Sequence, residues 1–251
     1  MPSSHPFIKI ARENEDILED IMTEIYREFL SYEAGPFSIV DGGAHMGSHT
    51  FEFTKLKGCS RVYAIEANRD LAASLLSRGP MRDGTKVQVI AAAVQDDPAV
   101  KELSFMLSTS HPGRSGLNSI FKEDPEVSFA QTVVPASTID LVVRDRADPV
   151  RFIKLDLEGG EYNAIRGSAD VMLIDRPIFC MENSVYSPEY NGYSSGEYFE
   201  MFRSRKYTPI TFLGEVMTED NMFDLWYAWT APDEKVDMLC DLLRRAIARR
   251  V

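Results

Sequence analysis

The sequence has few cysteines, few basic residues and no long apolar run. Its three cysteines are isolated and form no Cys-x-x-Cys pair: Cys59, Cys180 and Cys240. This pattern predicts neither a zinc site nor a disulfide framework. No apolar run approaches the ~20 residues that span a bilayer. Residues 1–12 also lack the basic stretch and apolar segment of a secretory signal. We therefore expect a reduced, cytoplasmic protein without a membrane partner.

Acidic residues outnumber basic ones. The sequence has 39 Asp and Glu against 27 Lys and Arg, a formal net charge of −12. Nucleic-acid binding draws much of its affinity from cationic contacts to phosphates, so we expect no DNA or RNA partner. A basic cluster at 244–250 falls at the end of a predicted helix, where it complements the helix dipole.

Strands and helices alternate from residue 37 onward. Predicted strands lie at 37–41, 61–66, 86–92, 150–156 and 178–182, and predicted helices at 47–57, 69–78 and 160–167. Strands that alternate with helices at this spacing are typical of βαβ units, whose strands form a parallel sheet. The sequence therefore predicts an α/β fold with a doubly wound parallel sheet.

Other segments depart from this alternation. An amphipathic helix is predicted at 13–34, because Ile17, Ile21, Ile25 and Phe29 recur every four residues. Further predicted elements are a paired β insertion at 101–107 and 128–134, a short helix ending near 144, a helix ending near 205, an antiparallel strand pair at 207–213 and 222–229, and a last helix at 232–250. We divide the chain into an N-terminal helical extension, 1–36, and one domain, 37–251.

Two of the predicted strands end on an acid. The first, Phe37 to Asp41, runs into a glycine turn, and the second, Phe152 to Asp156, runs into a loop and helix. In an open α/β sheet, ligands bind at the carboxyl ends of the strands, where the topology changes direction. The two acid-tipped strands therefore predict one shared crevice.

The loop after the first strand has a distinctive glycine spacing. Its pattern, Asp-x-Gly-x-x-x-Gly, differs from the Gly-x-Gly-x-x-Gly of a dinucleotide-binding protein. Gly43 and Gly47 allow a sharp turn and close approach of a ligand, because no Cβ is in the way. Asp41 places a carboxylate where a dinucleotide would place its pyrophosphate. An acid there repels phosphate and suits the cationic amino end of S-adenosylmethionine (SAM).

Acids after the next two strands extend the predicted cofactor site. Glu66 follows the second strand and can accept hydrogen bonds from both hydroxyls of a ribose. Asp96 follows the third strand, near the expected place of an adenine. The complete set of predicted cofactor-binding residues is Asp41, Gly43, His45, Gly47, Glu66, Ala92 and Asp96.

Several motifs resemble, in order, those of the FkbM-type methyltransferases. They lie at 41–47, 64–68, 137–140 and 153–161, and the likeness covers roughly residues 37–183. The Lys-x-Asp-x-Glu-Gly-x-Glu element that begins at Lys154 is its most specific part. The resemblance implies a class I methyltransferase fold with a seven-stranded, mostly parallel sheet. It also implies SAM as methyl donor and, usually, O-methylation of a hydroxyl on a sugar or natural product. His45 stands where the family commonly has Asn.

Three acidic or amide residues end adjacent predicted strands: Asp156, Glu182 and Asn183. Oxygen ligands of this kind suit Mg²⁺, and small-molecule O-methyltransferases hold Mg²⁺ in a similar arrangement. One hypothesis is therefore that these residues bind Mg²⁺. A second is that Asp156 or Glu182 acts as a general base on the acceptor hydroxyl. A third is that they are helix caps or contacts to SAM.

Histidines and further acids offer additional catalytic candidates. His45 and His49 lie four residues apart, a spacing that can hold a metal on a helix, but no third ligand is in register. We therefore consider His49 a helix-facing residue or a general base. Glu158 and Glu161 begin a predicted helix, where they stabilise its N-terminus or take part in catalysis.

Two other function classes remain open at this stage. A nicotinamide-dependent oxidoreductase could use the glycine loop and Glu66, but Asp41 occupies phosphate space and no Tyr-x-x-x-Lys pair exists in the chain. A non-catalytic SAM-binding module is the other alternative. The expected partners are a small-molecule or glycan acceptor and a second copy in a homodimer. Candidate walls of the acceptor pocket are residues 115–119, Tyr186, Tyr190, Tyr193 and Tyr198, with His111 within reach.

Overall fold

A computed structural model describes residues 5–14, 16–78, 86–110, 115–116, 126, 128–183, 192–222 and 225–251. Its helices are α1 Pro6–Glu13, α2 Asp16–Ser31, α3 Ser48–Phe53, α4 Arg69–Ser77, α5 Ile139–Val142, α6 Glu161–Arg166, α7 Ala169–Ile174, α8 Ser195–Arg203 and α9 Val236–Ala248. Its strands are β1 Phe37–Gly42, β2 Cys59–Ile65, β3 Lys86–Ile90, β4 Ala93–Val94, β5 Glu102–Ser108, β6 Phe129–Ser137, β7 Val150–Leu155, β8 Ile178–Glu182, β9 Tyr207–Thr211 and β10 Tyr227–Pro232.

The main sheet has seven strands in the order β3-β2-β1-β7-β8-β10-β9. The first five are parallel, and β10 is antiparallel to both of its neighbours. After β3 the chain returns to the centre of the sheet and adds β7 beside β1. The point where the strand order reverses therefore lies between β1 and β7, which is where ligands bind in open α/β sheets.

Side-chain alternation gives the sheet two buried faces. On β7, Phe152 belongs to one core and its neighbours Ile153 and Leu155 belong to the other, as the two-residue period of a strand requires. The first core lies under α1, α2 and α9, and the second under α5 to α8. Helices thus cover both faces, and the predicted doubly wound, mostly parallel sheet is confirmed.

The N-terminal helices pack into the first core together with the last helix. Buried side chains of α1 and α2, such as Phe7 and Ile21, share this core with Leu243 of α9. Ion pairs join the exposed edges of α2 and α9. Glu28 lies 3.1 Å from Arg245, and Glu24 pairs with Arg249 and Arg250. The segment called an extension in sequence is therefore integral to the packing of the sheet.

A smaller sheet, in the order β4-β6-β5, stands beside the main one. β5 and β6 are antiparallel, with Glu102 opposite Pro135 and Ser108 opposite Phe129. β4 pairs in parallel with the end of β6. The predicted pairing of the two insertion strands is confirmed, and so is the antiparallel pairing of β9 with β10.

Some predicted boundaries differ from the structure. The helix predicted at 13–34 corresponds to α2, Asp16–Ser31, and α1 was not predicted; the extended backbone of Asn14 (φ −149°) separates the two helices. The predicted third strand stops at Ile90, and Ala93 and Val94 turn to pair with β6 instead. α7 was not predicted, because its six residues are too short for a helical period to be recognised. Among the described helices, none combines the length and apolar character needed to cross a bilayer.

Replacing Ile21 by alanine tests whether α2 belongs to the fold. Ile21 is fully buried against the sheet, so Ile21→Ala leaves a cavity and lowers the free energy of unfolding by about 2–5 kcal/mol. Urea denaturation measures the change. The matched control is Ile174→Ala on α7, where the side chain is 67% exposed and the expected change stays within about 0.5 kcal/mol. Equal effects of the two substitutions would show that α2 does not depend on this core.

Candidate functional site

The site begins where the loops after β1 and β7 touch. The Asp156 backbone N–H donates to the Gly42 carbonyl at 3.0 Å. Gly43 has φ +74°, and a Cβ added there would lie 1.8 Å from the Asp156 carbonyl oxygen. Only glycine satisfies both the left-handed backbone and this contact. The glycine loop is therefore the surface against which the second loop packs.

A cavity opens at this edge of the sheet. Its volume is about 200 Å³, and it is open to solvent on one side. Predicted residues that line it are Gly43, His45, Glu66, Ala92, Ser115, Asp156 and Glu158. Its apolar wall is formed by Ile65, Leu71, Ala93, Val94 and Phe105. The small sheet contributes to this wall through Phe105 of β5.

Glu66 is held in the cavity wall by the backbone. Its Oε2 accepts from the His45 N–H and its Oε1 from the Asn68 N–H, both at 2.8 Å. Burial raises the pKa of Glu66, and these two hydrogen bonds act in the opposite direction. Each carboxylate oxygen has a second lone pair. The fixed carboxylate can therefore accept two further hydrogen bonds from a ligand.

Asp41 lies behind the glycine loop and does not line the cavity. It is 1% exposed, and its Oδ2 accepts from the Thr50 hydroxyl at 2.5 Å. Its Oδ1 is buried and has no hydrogen-bond partner within the described part of the chain. Gly47 also lies outside the lining. It caps α3 with φ +84°, and an added Cβ would lie 2.5 Å from Cδ2 of Leu75, so its role is in packing.

Lys154 is a buried cation beside Asp41 and Asp156. Its side chain is 4% exposed, and its Nζ lies 3.1 Å from Oδ2 of Asp156. Lys154 is also the register partner of Asp41 on β1. Burial alone would lower the pKa of Lys154, but the charges of Asp156, Asp41 and Glu19 outweigh burial and raise it. The ammonium thus neutralises part of the charge of three carboxylates.

A second set of contacts links Asp156 to the N-terminal helix α2. The Tyr227 hydroxyl lies 3.2 Å from Oδ2 of Asp156 and 2.9 Å from Oε1 of Glu19. Oε2 of Glu19 lies 2.6 Å from Nε2 of His49. Burial, followed by the charges of Asp156 and Glu19, raises the pKa of Tyr227 far above its ordinary value. The hydroxyl therefore keeps its proton and acts as a donor.

Buried acids on the other side of Asp156 repel one another. Oε1 of Glu161 accepts from the Leu157 N–H at 2.6 Å, and burial raises the pKa of Glu161 to about 7. Burial, followed by the charge of Glu161, raises the pKa of Glu182 well above its ordinary value. Burial and mutual repulsion therefore favour the protonated form of both acids more than in free carboxyl groups.

The predicted Mg²⁺ site finds no support. Among the described residues, no group of three or more His, Cys, Asp or Glu side chains is arranged to hold a metal ion. The Asn183 amide donates to the Met222 carbonyl, and its backbone N–H donates to Trp226. The Asn183 side chain is thus engaged with Met222, and the Lys154 ammonium already balances Asp156.

The remaining predicted residues lie away from the cavity. Asp96 pairs with Arg166 at 3.0 Å and lines a separate cavity beside β5 and α6, so its predicted contact with an adenine has no support here. His49 points toward Glu19 and stacks on Phe53. Of the predicted acceptor-pocket residues, His111, 117–119, Tyr186 and Tyr190 lie outside the described residues. Tyr193 stacks on Tyr162 at 3.9 Å.

Sequence reasoning gave no role to Lys154, Tyr227, Glu19 or Phe105. A charged residue inside the apolar strand Phe152 to Leu155 was the available signal for Lys154, since a buried charge requires partners. The other three carry no local signal. Tyr227 and Glu19 meet Asp156 only through the tertiary fold, and Phe105 reaches the cavity only because the small sheet folds against it.

Comparison with known proteins gives one family match. A family model described as the methyltransferase FkbM domain matches residues 41–209. No curated protein gives a significant match to the sequence.

Among solved structures, methyltransferase FkbM from Methylobacillus flagellatus KT is 16% identical (TM-score 0.47) and is matched over 78% of this chain and 43% of that chain. This chain thus spans less than half of that protein. The precorrin-6y C5,15-methyltransferase of Geobacter metallireducens GS-15 is 11% identical (TM-score 0.43; 85% and 87% covered). The plantazolicin methyltransferase BamL, solved with SAH, is 12% identical (TM-score 0.46; 99% and 86% covered).

Removing the Lys154 charge should destabilise the protein in a pH-dependent way. Lys154→Met leaves buried carboxylates without their cation and lowers the free energy of unfolding by about 3–5 kcal/mol at pH 7. The difference in unfolding free energy between Lys154→Met and the wild type becomes smaller toward pH 5, because protonation of the carboxylates removes the uncompensated charge. Denaturation at both pH values measures it. The control is Lys9→Met, whose side chain is 82% exposed. A deficit that stays constant with pH would contradict the assigned ion pairing.

Glu161 should make stability fall as pH rises. Its pKa in the folded protein, about 7, lies above its ordinary value of 4.5, so the folded state binds the extra proton between these values. The free energy of unfolding therefore decreases from pH 4.5 to 7. Glu161→Gln removes this loss. Between pH 5 and pH 8, the free energy of unfolding of the variant therefore rises by about 2 kcal/mol relative to that of the wild type. Glu200→Gln, at an exposed position, is the control, and parallel profiles for wild type and Glu161→Gln would refute the assignment.

Proposed function

The chain belongs to the FkbM family of SAM-dependent methyltransferases, and we propose that it transfers the methyl group of SAM to a hydroxyl of a sugar, glycan or natural product. The methyl-donor part of this proposal rests on the Glu66 carboxylate. Two backbone N–H groups fix this carboxylate in the wall of the cavity, where the strand order of the sheet reverses. The hydroxyl acceptor follows from the family resemblance.

The residues of the cavity fit SAM. Glu66 would accept the ribose hydroxyls through its second lone pairs. The apolar wall around Ala92, Val94 and Phe105 suits the adenine ring. Gly43 leaves room for a close approach, and Asp41, buried behind the glycine loop, adds negative charge that favours the cationic amino end. A dinucleotide pyrophosphate would instead lie beside the acid Asp156 in the cavity wall, which disfavours the oxidoreductase alternative.

We assign Asp156 to both reacting groups: its negative charge favours the cationic sulfonium of SAM, and it takes the proton of the acceptor hydroxyl. Bound SAM supplies an already activated methyl group, so the protein must align the hydroxyl and remove its proton. Asp156 lines the cavity, and its side chain is 31% exposed. Within the described residues, nothing donates a hydrogen bond to its Oδ1. That oxygen can accept the proton of the acceptor hydroxyl as the methyl–oxygen bond forms and the methyl–sulfur bond breaks, with SAH as the leaving group.

The metal hypothesis is not carried further. Lys154 places an ammonium 3.1 Å from Asp156, and its charge repels a divalent cation bound to the same carboxylate. Glu182 and Asn183 do not complete a ligand set, and His49 pairs with Glu19. We therefore assign Asp156 as general base and derive no step through Mg²⁺. A cytoplasmic location and a homodimer stay predictions.

Calorimetric titration with SAM, SAH and NAD tests the donor. We expect micromolar binding of SAM and SAH and none of NAD. Glu66→Ala should weaken both by about 100-fold, because it removes two charge-assisted hydrogen bonds worth about 1.5–3 kcal/mol each. Glu200→Ala serves as the exposed control. Binding of NAD and no binding of SAM would instead support the oxidoreductase alternative.

Turnover then separates an enzyme from a binding module. Purified protein is incubated with SAM and panels of glycans and hydroxylated small molecules, and SAH formation is measured. Asp156→Asn should lower the rate by about 10²–10⁴-fold, the usual contribution of a general base. Full activity in that variant would remove Asp156 from the chemistry.

A further inference from the structure

A chain of polar contacts runs from the N-terminal helix into the cavity. Glu19 on α2 contacts Tyr227 on β10 at 2.9 Å, and Tyr227 contacts Asp156 at 3.2 Å. Three elements from distant parts of the sequence therefore meet at one carboxylate.

We propose that Tyr227 and Glu19 are positioning residues that hold the Asp156 carboxylate toward the cavity, so that helix α2 forms part of the donor site. This inference rests on the proposed binding of SAM. Neither residue touches the cavity, and both act through Asp156.

Two donors meet the same oxygen of Asp156. Lys154 Nζ lies 3.1 Å and the Tyr227 hydroxyl 3.2 Å from Oδ2. Asp156 follows the last residue of β7 and is not part of the strand, so the ladder of the sheet does not fix its side chain. With two donors on Oδ2, the carboxylate plane is defined and Oδ1 is left for a ligand. With Lys154 alone, the carboxylate can rotate about a single contact.

Glu19 and His49 determine where the Tyr227 proton goes. A hydroxyl has one proton, and both Glu19 and Asp156 can accept it. The His49 ring lies 2.6 Å from the other oxygen of Glu19, and after the opposing effect of burial this contact lowers the pKa of Glu19. His49 thus stabilises the ionised Glu19, which accepts from the Tyr227 hydroxyl at 2.9 Å, and the same proton is shared with Asp156 at 3.2 Å in a three-centre contact. Glu19 thereby fixes the position of the hydroxyl oxygen.

A mutant cycle on SAM affinity tests this arrangement. The proteins are full-length wild type, Tyr227→Phe, Glu19→Gln and the double variant, titrated calorimetrically with SAM. We expect Tyr227→Phe to weaken SAM binding by about 5–20-fold and Glu19→Gln by about 3–10-fold. The double variant should bind SAM no more weakly than Tyr227→Phe alone, because the effects of two residues that act through one another do not add. Asp156→Asn should weaken binding at least as much as Tyr227→Phe.

Tyr207→Phe is the matched control. Tyr207 is also buried in the main sheet, and its hydroxyl donates to the Pro177 carbonyl at 3.1 Å, away from the cavity. Its loss can lower thermal stability, but it should leave SAM affinity unchanged within about twofold. A purely structural role of Tyr227 would give the same pattern as this control.

The possible failures are distinguishable. If wild type does not bind SAM, the proposed function falls and this inference with it. If wild type binds SAM and Tyr227→Phe binds as tightly, only the inference falls. Additive effects of Tyr227→Phe and Glu19→Gln would also overturn it, as would an Asp156→Asn variant that binds better than Tyr227→Phe.

Discussion

The buried ammonium of Lys154 is the interaction on which the site depends. It stands on a central strand, beside Asp41 of the neighbouring strand and 3.1 Å from Asp156. A carboxylate as deeply buried as that of Asp41, 1% exposed, would be strongly destabilising without a cation. One ammonium among Asp41, Asp156 and Glu19 leaves the region with a surplus of negative charge. Such a surplus favours a cationic ligand over a phosphorylated one, which agrees with a sulfonium donor.

The second constraint is the contact between the loops after β1 and β7. At Gly43 the chain has no room for a Cβ, because the Asp156 carbonyl lies 1.8 Å from where that atom would be. The contact brings a glycine loop and a carboxylate-bearing loop to one crevice although they lie far apart in sequence. Charge and shape are therefore set by the same pair of strands, and the helices around them supply burial.

Much of this could be predicted from the sequence, and the reasons are local. Alternating strands and helices, the glycine turn at Gly43 and the acid Glu66 after a strand are all patterns within a few residues. Asp96 fits the same pattern, but Arg166 holds it elsewhere, because a position after a strand does not fix the direction of a side chain. Tyr227 and Glu19 could not be found, since their contacts with Asp156 join segments with no shared local pattern. The features expected for SAM were therefore easier to predict from the sequence than those expected for the acceptor.

The pairing of α2 with α9 has a consequence for biosynthesis. α2 leaves the ribosome well before α9, and Tyr227 is translated just before α9. Until then, α2 lacks its contacts with α9 and Asp156 lacks its tyrosine contact. A nascent chain can contain the whole glycine loop and still have an unfinished crevice, so early release yields a product with the family motifs and an incomplete site. The crevice is therefore complete only after β10 and α9 have been translated.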